Sequence, residues 1–129
     1  MVSRDTTVHL TVVALAMVGL TAVLWLPADP AVMAVAFAAY NGAIFAGAHL
    51  YLAWRGEDGL VPVASRWRFV AAVAAVLSLA ALAFFTDPVS IGSVTSDAVL
   101  RGGAAAVALG YLVVEARDGY LESTAENGL

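Results

Sequence analysis

The sequence predicts an all-α fold, a four-helix transmembrane bundle. Three observations carry this. Of 129 residues, 62 % are hydrophobic and 12 % charged, about half the roughly 25 % charge of a soluble domain. Four stretches reach the length of about 20 mainly apolar residues that crosses a bilayer's hydrocarbon. Helix breakers or charges separate each stretch from the next.

The first segment covers about residues 7–26. Its apolar run from Val8 to Leu26 exceeds the 7–15-residue core of a signal peptide, so a retained anchor is expected. Pro27-Ala28-Asp29-Pro30 makes a short turn into the second segment, 31–54. That segment stops where Trp54 suits the membrane interface, Arg55 needs water and Gly56 ends the helix. A linker from Gly56 to Pro62 leads to the third segment, 67–85. Thr86-Asp87-Pro88 opens the next turn, and Thr95 and Ser96 are good N-cap types. Asp97 and Arg101, four apart, can brace the start of the fourth segment, about 97–115. Residues 1–117 thus form a transmembrane domain. Residues 118–129 form an acidic tail, expected to be cytoplasmic and largely disordered.

Orientation follows the basic residues near helix ends. Arg4, Arg55, Arg66, Arg68 and Arg117 fall on one side and Arg101 on the other. The expected topology is a multi-pass cell-membrane protein with both termini cytoplasmic. Trp54 and Trp67 then mark one interface and Trp25 the other. Glu115 is expected to pair with a nearby Arg.

All six basic residues are Arg, acids outnumber them ten to six, and the helices are rich in Ala and Val. Molar salt shortens the Debye length to about 3 Å, so acidic repulsion costs little there. With the stretch Ala48-His49-Leu50-Tyr51-Leu52-Ala53-Trp54-Arg55-Gly56, this composition resembles small integral membrane proteins of extremely halophilic archaea. The resemblance implies a membrane location and carries no catalytic motif.

Two turn signals recur. Asp29-Pro30 returns as Asp87-Pro88, and Tyr51-Leu52 with Asp58-Gly59 returns as Tyr111-Leu112 with Asp118-Gly119. The spacing suggests two tandem helical hairpins of the same orientation. Small residues at four-residue spacing mark candidate packing faces, Ala39, Ala43 and Gly47 on the second helix and Gly102, Ala106 and Gly110 on the fourth. In lipid, such residues let backbones approach closely, within a bundle or between subunits.

Polar side chains inside the spans need partners. Thr21, Tyr40, Asn41 and Ser78 lie at or near mid-span and are expected to form a small hydrogen-bonded layer. The two His residues form the constellation with chemical reach. At 1.5 Å rise per residue, His49 lies about 7 Å inside Trp54 and His9 about 3 Å inside the first helix. Antiparallel helices place both in the same half of the bilayer. Two neutral imidazoles on adjacent helices can clamp a haem iron axially or relay protons, with Gly42 and Gly47 leaving room for a flat macrocycle.

Absences narrow the classes. There is no Cys, hence no disulfide, thiolate metal site or thiol catalysis. The first helix has no mid-span carboxylate, which disfavours proton-coupled export of the small multidrug type. No HExxH, Gly-x-Ser-x-Gly or Walker loop occurs. An acidic chain without a basic patch is a poor nucleic-acid binder. The leading expectation is a non-enzymatic membrane protein that needs no cofactor or metal, either a homo-oligomer or an accessory subunit of a larger membrane complex. The alternatives are a redox or quinone-associated subunit with haem b on His9 and His49, and a small permease using the Tyr40/Asn41 layer.

Overall fold

The computed structural model describes residues 1–128. Helix α1 spans Arg4–Val23, α2 Pro30–Trp54, α3 Val63–Phe85 and α4 Ser96–Glu126, and all four are long and apolar enough to cross a membrane. The chain is thus an all-α four-helix bundle of multi-pass membrane character.

Local chemistry sets the helix ends. The Ser3 hydroxyl accepts the Thr6 N–H at 3.2 Å and caps α1. Asp29 caps α2 by accepting from Ala31 and Val32 at 2.9 and 3.2 Å, with Pro30 in the first turn, where its missing N–H costs nothing. Helix α2 ends at Trp54, and Gly56, just past the Arg55 cap, takes the left-handed conformation (φ 66°). Asp58 closes the following loop by accepting the Val63 N–H at 3.0 Å. Between α3 and α4 lies a small antiparallel ribbon, β1 (Ser90–Ile91) and β2 (Val94–Thr95), which pairs Ser90 with Thr95 and Ile91 with Val94.

Helix α2 is not uniform. Residues Ala43–Gly47 form a π-helical turn between two α-helical stretches. The turn and the residues that follow it carry four of the six buried hydrophobic residues: Ala46 inside the turn, then Ala48, Leu52 and Ala53. This small-residue stretch is where α1 and α3 come against α2. Gly47 is central, since a Cβ there would lie 2.8 Å from Val12 Cγ1 of α1.

The helices pack in chain order, α1 on α2, α2 on α3 and α3 on α4. Helices α1 and α4 sit at the two flanks, without extended contact with each other. In its far half α1 splays from α2 and leaves a groove of about 370 Å³ lined by small residues that include Gly19, Ala36, Ala39 and Ala43. Gly42 faces Leu77 of α3, and Gly103 of α4 faces Leu79. Gly102, Ala106 and Gly110 are exposed, and a Cβ at Gly102 or Gly110 would meet nothing within 4 Å.

Helix α4 departs from the expected boundary. It runs 31 residues to Glu126 rather than ending near 115, so residues 118–126 are helical rather than structureless. At 1.5 Å per residue it is about 46 Å long, longer than the roughly 30 Å of hydrocarbon. Extending an existing helix needs no new nucleus. Arg68 of α3 also ties down this end, bonding Glu115 at 2.9 Å and Asp118 at 2.8 Å. The recurrent turn signals occupy unlike structures. Asp29 caps α2 directly, whereas Asp87 precedes the ribbon. Asp58-Gly59 lies in a loop, whereas Asp118-Gly119 lies inside α4.

Candidate functional site

The polar centre of the molecule lies at the end of the bundle that carries both chain termini. It is built around Arg66, in the first turn of α3, whose side chain has no solvent-exposed surface. From the sequence, Arg66 counts only as one of the basic residues near helix ends that set orientation. The fold buries it, because partners from three elements converge on it. Its Nε donates to the Val61 carbonyl at 3.0 Å. One terminal nitrogen donates to Asp5 Oδ2 at 2.7 Å and to the Asp58 carbonyl at 2.8 Å. The other donates to His49 Nδ1 at 3.3 Å. A buried charge requires such pairing.

Each partner arrives by a local device. Asp5 and His9 stand four residues apart on α1 and so share a face. The π turn precedes His49 by one residue and sets the direction in which that ring leaves α2. The loop from Gly56 to Pro62 folds over Asp5, and the Leu60 N–H donates to the same Oδ2 at 3.3 Å. Gly59 makes this approach possible. Its φ is 60°, and a Cβ there would lie 2.7 Å from Asp5 Oδ1. On the opposite side, Phe69 meets the His49 ring edge-on at 4.8 Å between centroids, and Tyr111 of α4 meets Phe69 at 5.9 Å.

His9 and His49, placed in the same half of the bundle by the sequence, are in direct contact. Their Nε2 atoms are 3.4 Å apart, and the rings are nearly perpendicular, at 82° with centroids 4.9 Å apart. The proton positions follow from the donors. A guanidinium can only donate, so His49 Nδ1 is an acceptor. A neutral His49 therefore carries its proton on Nε2 and donates it to His9 Nε2. His9 in turn donates from Nδ1 to the Asp5 carbonyl, at 2.7 Å. Neutral imidazoles thus allow one directional chain, Arg66 to His49 to His9 to the backbone of α1.

No protein-family model, curated protein or solved structure matches this chain. The cluster is read from its own chemistry.

Haem ligation would need a different arrangement of the two rings. Axial ligation on two faces needs two metal–nitrogen bonds of about 2 Å each with a macrocycle between the rings. Here the two Nε2 atoms are bonded to each other at 3.4 Å. The space beside Gly47 is filled by Val12. Among the described residues no group of three or more His, Asp or Glu side chains is arranged to hold a metal ion.

The four mid-span polar residues do not meet. Thr21 donates to the Val18 carbonyl at 2.6 Å, Asn41 to Phe37 at 2.8 Å and Ser78 to Ala74 at 2.7 Å, all within their own helices. Tyr40 reaches only the Met17 sulfur, at 3.3 Å. No hydrogen bond links any of these four residues to the His9–His49 pair among the described residues. Sequence reasoning missed Arg66, Asp5 and Gly59 as members of the site. The i,i+4 spacing of Asp5 and His9 was the available signal.

Proposed function

We propose that this chain is a non-enzymatic integral membrane protein that assembles with further copies of itself, its termini on the cytoplasmic side. The carrying observation is the open row of helices. Helix α4 buries none of its 31 residues within the chain, and α1 at the other flank buries none of its 20. Lipid covers such faces adequately, but the α4 face displays Gly102, Ala106 and Gly110, which allow a second helix to approach closely. The Arg66 cluster supports the non-enzymatic reading. Its central cation is sealed from solvent, and the chain from Arg66 through His49 and His9 ends on the Asp5 backbone carbonyl.

The chain contains no Cys, so an Ala106→Cys variant has a single thiol. In native membranes, mild oxidation is expected to give a disulfide-linked dimer from Ala106→Cys and none from Leu79→Cys, which faces Gly103 inside the chain. Monomer from both variants, with a monomeric mass in nanodiscs at every protein-to-lipid ratio, overturns the proposal.

A further inference from the structure

We propose that Asp5, Arg66, His49 and His9 form a proton-operated latch that holds the N-terminal end of α1 on α2 and α3, closed while both imidazoles are neutral and released when the pair takes up a proton. The argument starts from the directional chain. It needs one acceptor nitrogen on each ring, His49 Nδ1 facing Arg66 and His9 Nε2 facing His49. A proton on His49 Nδ1 sets N–H against the Arg66 N–H groups at 3.3 Å. A proton on His9 Nε2 sets two N–H groups against each other at 3.4 Å. Either position converts an attractive contact into a donor–donor contact beside a buried permanent cation.

No nearby carboxylate is free to offset the new charge. On α1, Asp5 is engaged by Arg66 at 2.7 Å, and Arg4 is paired with Glu57 at 2.8 Å. From α2 and the loop after it, Arg55 lies 3.6 Å from that same Glu57, and the Asp58 carboxylate caps Val63. From α3 and α4, Arg68 holds Glu115 and Asp118, and Tyr111 meets the site only through Phe69. The closed arrangement has no place for an added proton, so acid favours the open one.

The rest of the fold lets α1 respond. Its far end is tethered to α2 by the turn at residues 24–29. Its far half faces the groove of about 370 Å³ rather than packed side chains. The contacts that hold the N-terminal half are the latch, the Arg4–Glu57 pair and the seat of Val12 on Gly47. The π turn beside that seat gives α2 a segment able to change register, a device frequent at functional sites. Opening swings Asp5 away from Arg66 and frees the Leu60 N–H.

The cysteine-free full-length chain, carrying spin labels at Leu10→Cys and Leu50→Cys in lipid nanodiscs, tests this. One narrow distance is expected at pH 8. A longer, broader distribution is expected at pH 5, reversible on return to pH 8. Carboxylates of ordinary acidity stay ionised at pH 5. The His9→Gln/His49→Gln variant is expected to keep the narrow distance at both pH values. If that variant does not fold, His9→Gln alone is measured, and its acid response is expected to shrink. An unchanged wild-type distance between pH 8 and 5 overturns the latch, as does an undiminished acid response in either variant.

Discussion

Arg66 donates to Asp5 Oδ2 at 2.7 Å across 61 residues of sequence, and its side chain has no exposed surface. This ion pair joins the first turn of α3 to the first turn of α1. Removing one partner of a buried pair leaves the other charge uncompensated, at a cost of about 3–5 kcal/mol. Asp5→Ala is therefore expected to destabilise the folded protein by about that amount, at the low end because Asp5 keeps 13 % exposure. The double change Asp5→Ala/Arg66→Met is expected to recover most of the loss, since an apolar replacement of both charges is often neutral. Thermal unfolding in one detergent, followed by near-ultraviolet circular dichroism, reads both. A double variant as unstable as Asp5→Ala would show that the guanidinium's bonds to Val61 and Asp58 matter more than the pair.

Gly59 and Gly56 separate two effects. Both have positive φ, 60° and 66°, but only Gly59 lies against another group, the Asp5 carboxylate. Replacing either by Ala incurs the left-handed backbone cost of roughly 1–2 kcal/mol. Gly59→Ala adds a clash with Asp5 Oδ1, in the carboxylate whose other oxygen Arg66 holds. Gly59→Ala is expected to lose more stability than Gly56→Ala and to deprotect the Leu60 amide in hydrogen exchange. Equal losses, with Leu60 protection unchanged, would mean that the loop does not close on Asp5.

The seat of α1 on α2 is testable by compensation. Gly47→Ala places a methyl carbon 2.8 Å from Val12 Cγ1, and overpacking of this kind costs about 1–3 kcal/mol. Val12→Ala alone removes contact area. The pair Gly47→Ala/Val12→Ala is expected to be more stable than the sum of the single losses allows, because the second change vacates the space the first needs. Strict additivity in a double-mutant cycle would place the two residues out of contact.

These contrasts also show what the sequence made legible. The start of α2 was readable to within one residue, whereas α1 and α3 begin three and four residues before their expected segments and Thr95 makes no capping hydrogen bond. Asp29-Pro30 supplies both the acceptor and the fixed φ of the first turn. That His9 and His49 lie in the same half of the bundle followed from the rise per residue and the antiparallel order of α1 and α2. The burial of Arg66 was not legible because it depends on Asp5 and on the carbonyls of Asp58 and Val61, and no local pattern reports a partner 61 residues away. The end of α4 was set too early because hydropathy marks the extent of lipid, not of helix, and the helix continues to Glu126. The polar layer failed for an energetic reason. A mid-span Ser, Thr or Asn satisfies itself on a carbonyl three or four residues back without recruiting another helix.

The last prediction concerns register on α4, which an Ala- and Gly-rich sequence leaves open. Gly102 and Gly103 are adjacent, yet a Cβ at Gly103 lies 3.5 Å from Leu79 Cδ1, while one at Gly102 meets nothing within 4 Å. A large side chain at Gly103 must therefore pry α4 from α3, whereas the same side chain at Gly102 is free within the chain. Gly103→Leu is expected to lower the unfolding temperature of the monomer in detergent, by about 1–3 kcal/mol in stability. Gly102→Leu is expected to leave it within about 0.5 kcal/mol. In the bilayer the order is expected to reverse for assembly, with Gly102→Leu abolishing the crosslink through Ala106→Cys one turn away. Crosslinking that survives Gly102→Leu would move the subunit contact to another face, and a destabilised Gly102→Leu monomer would mean that α3 and α4 pack in a different register.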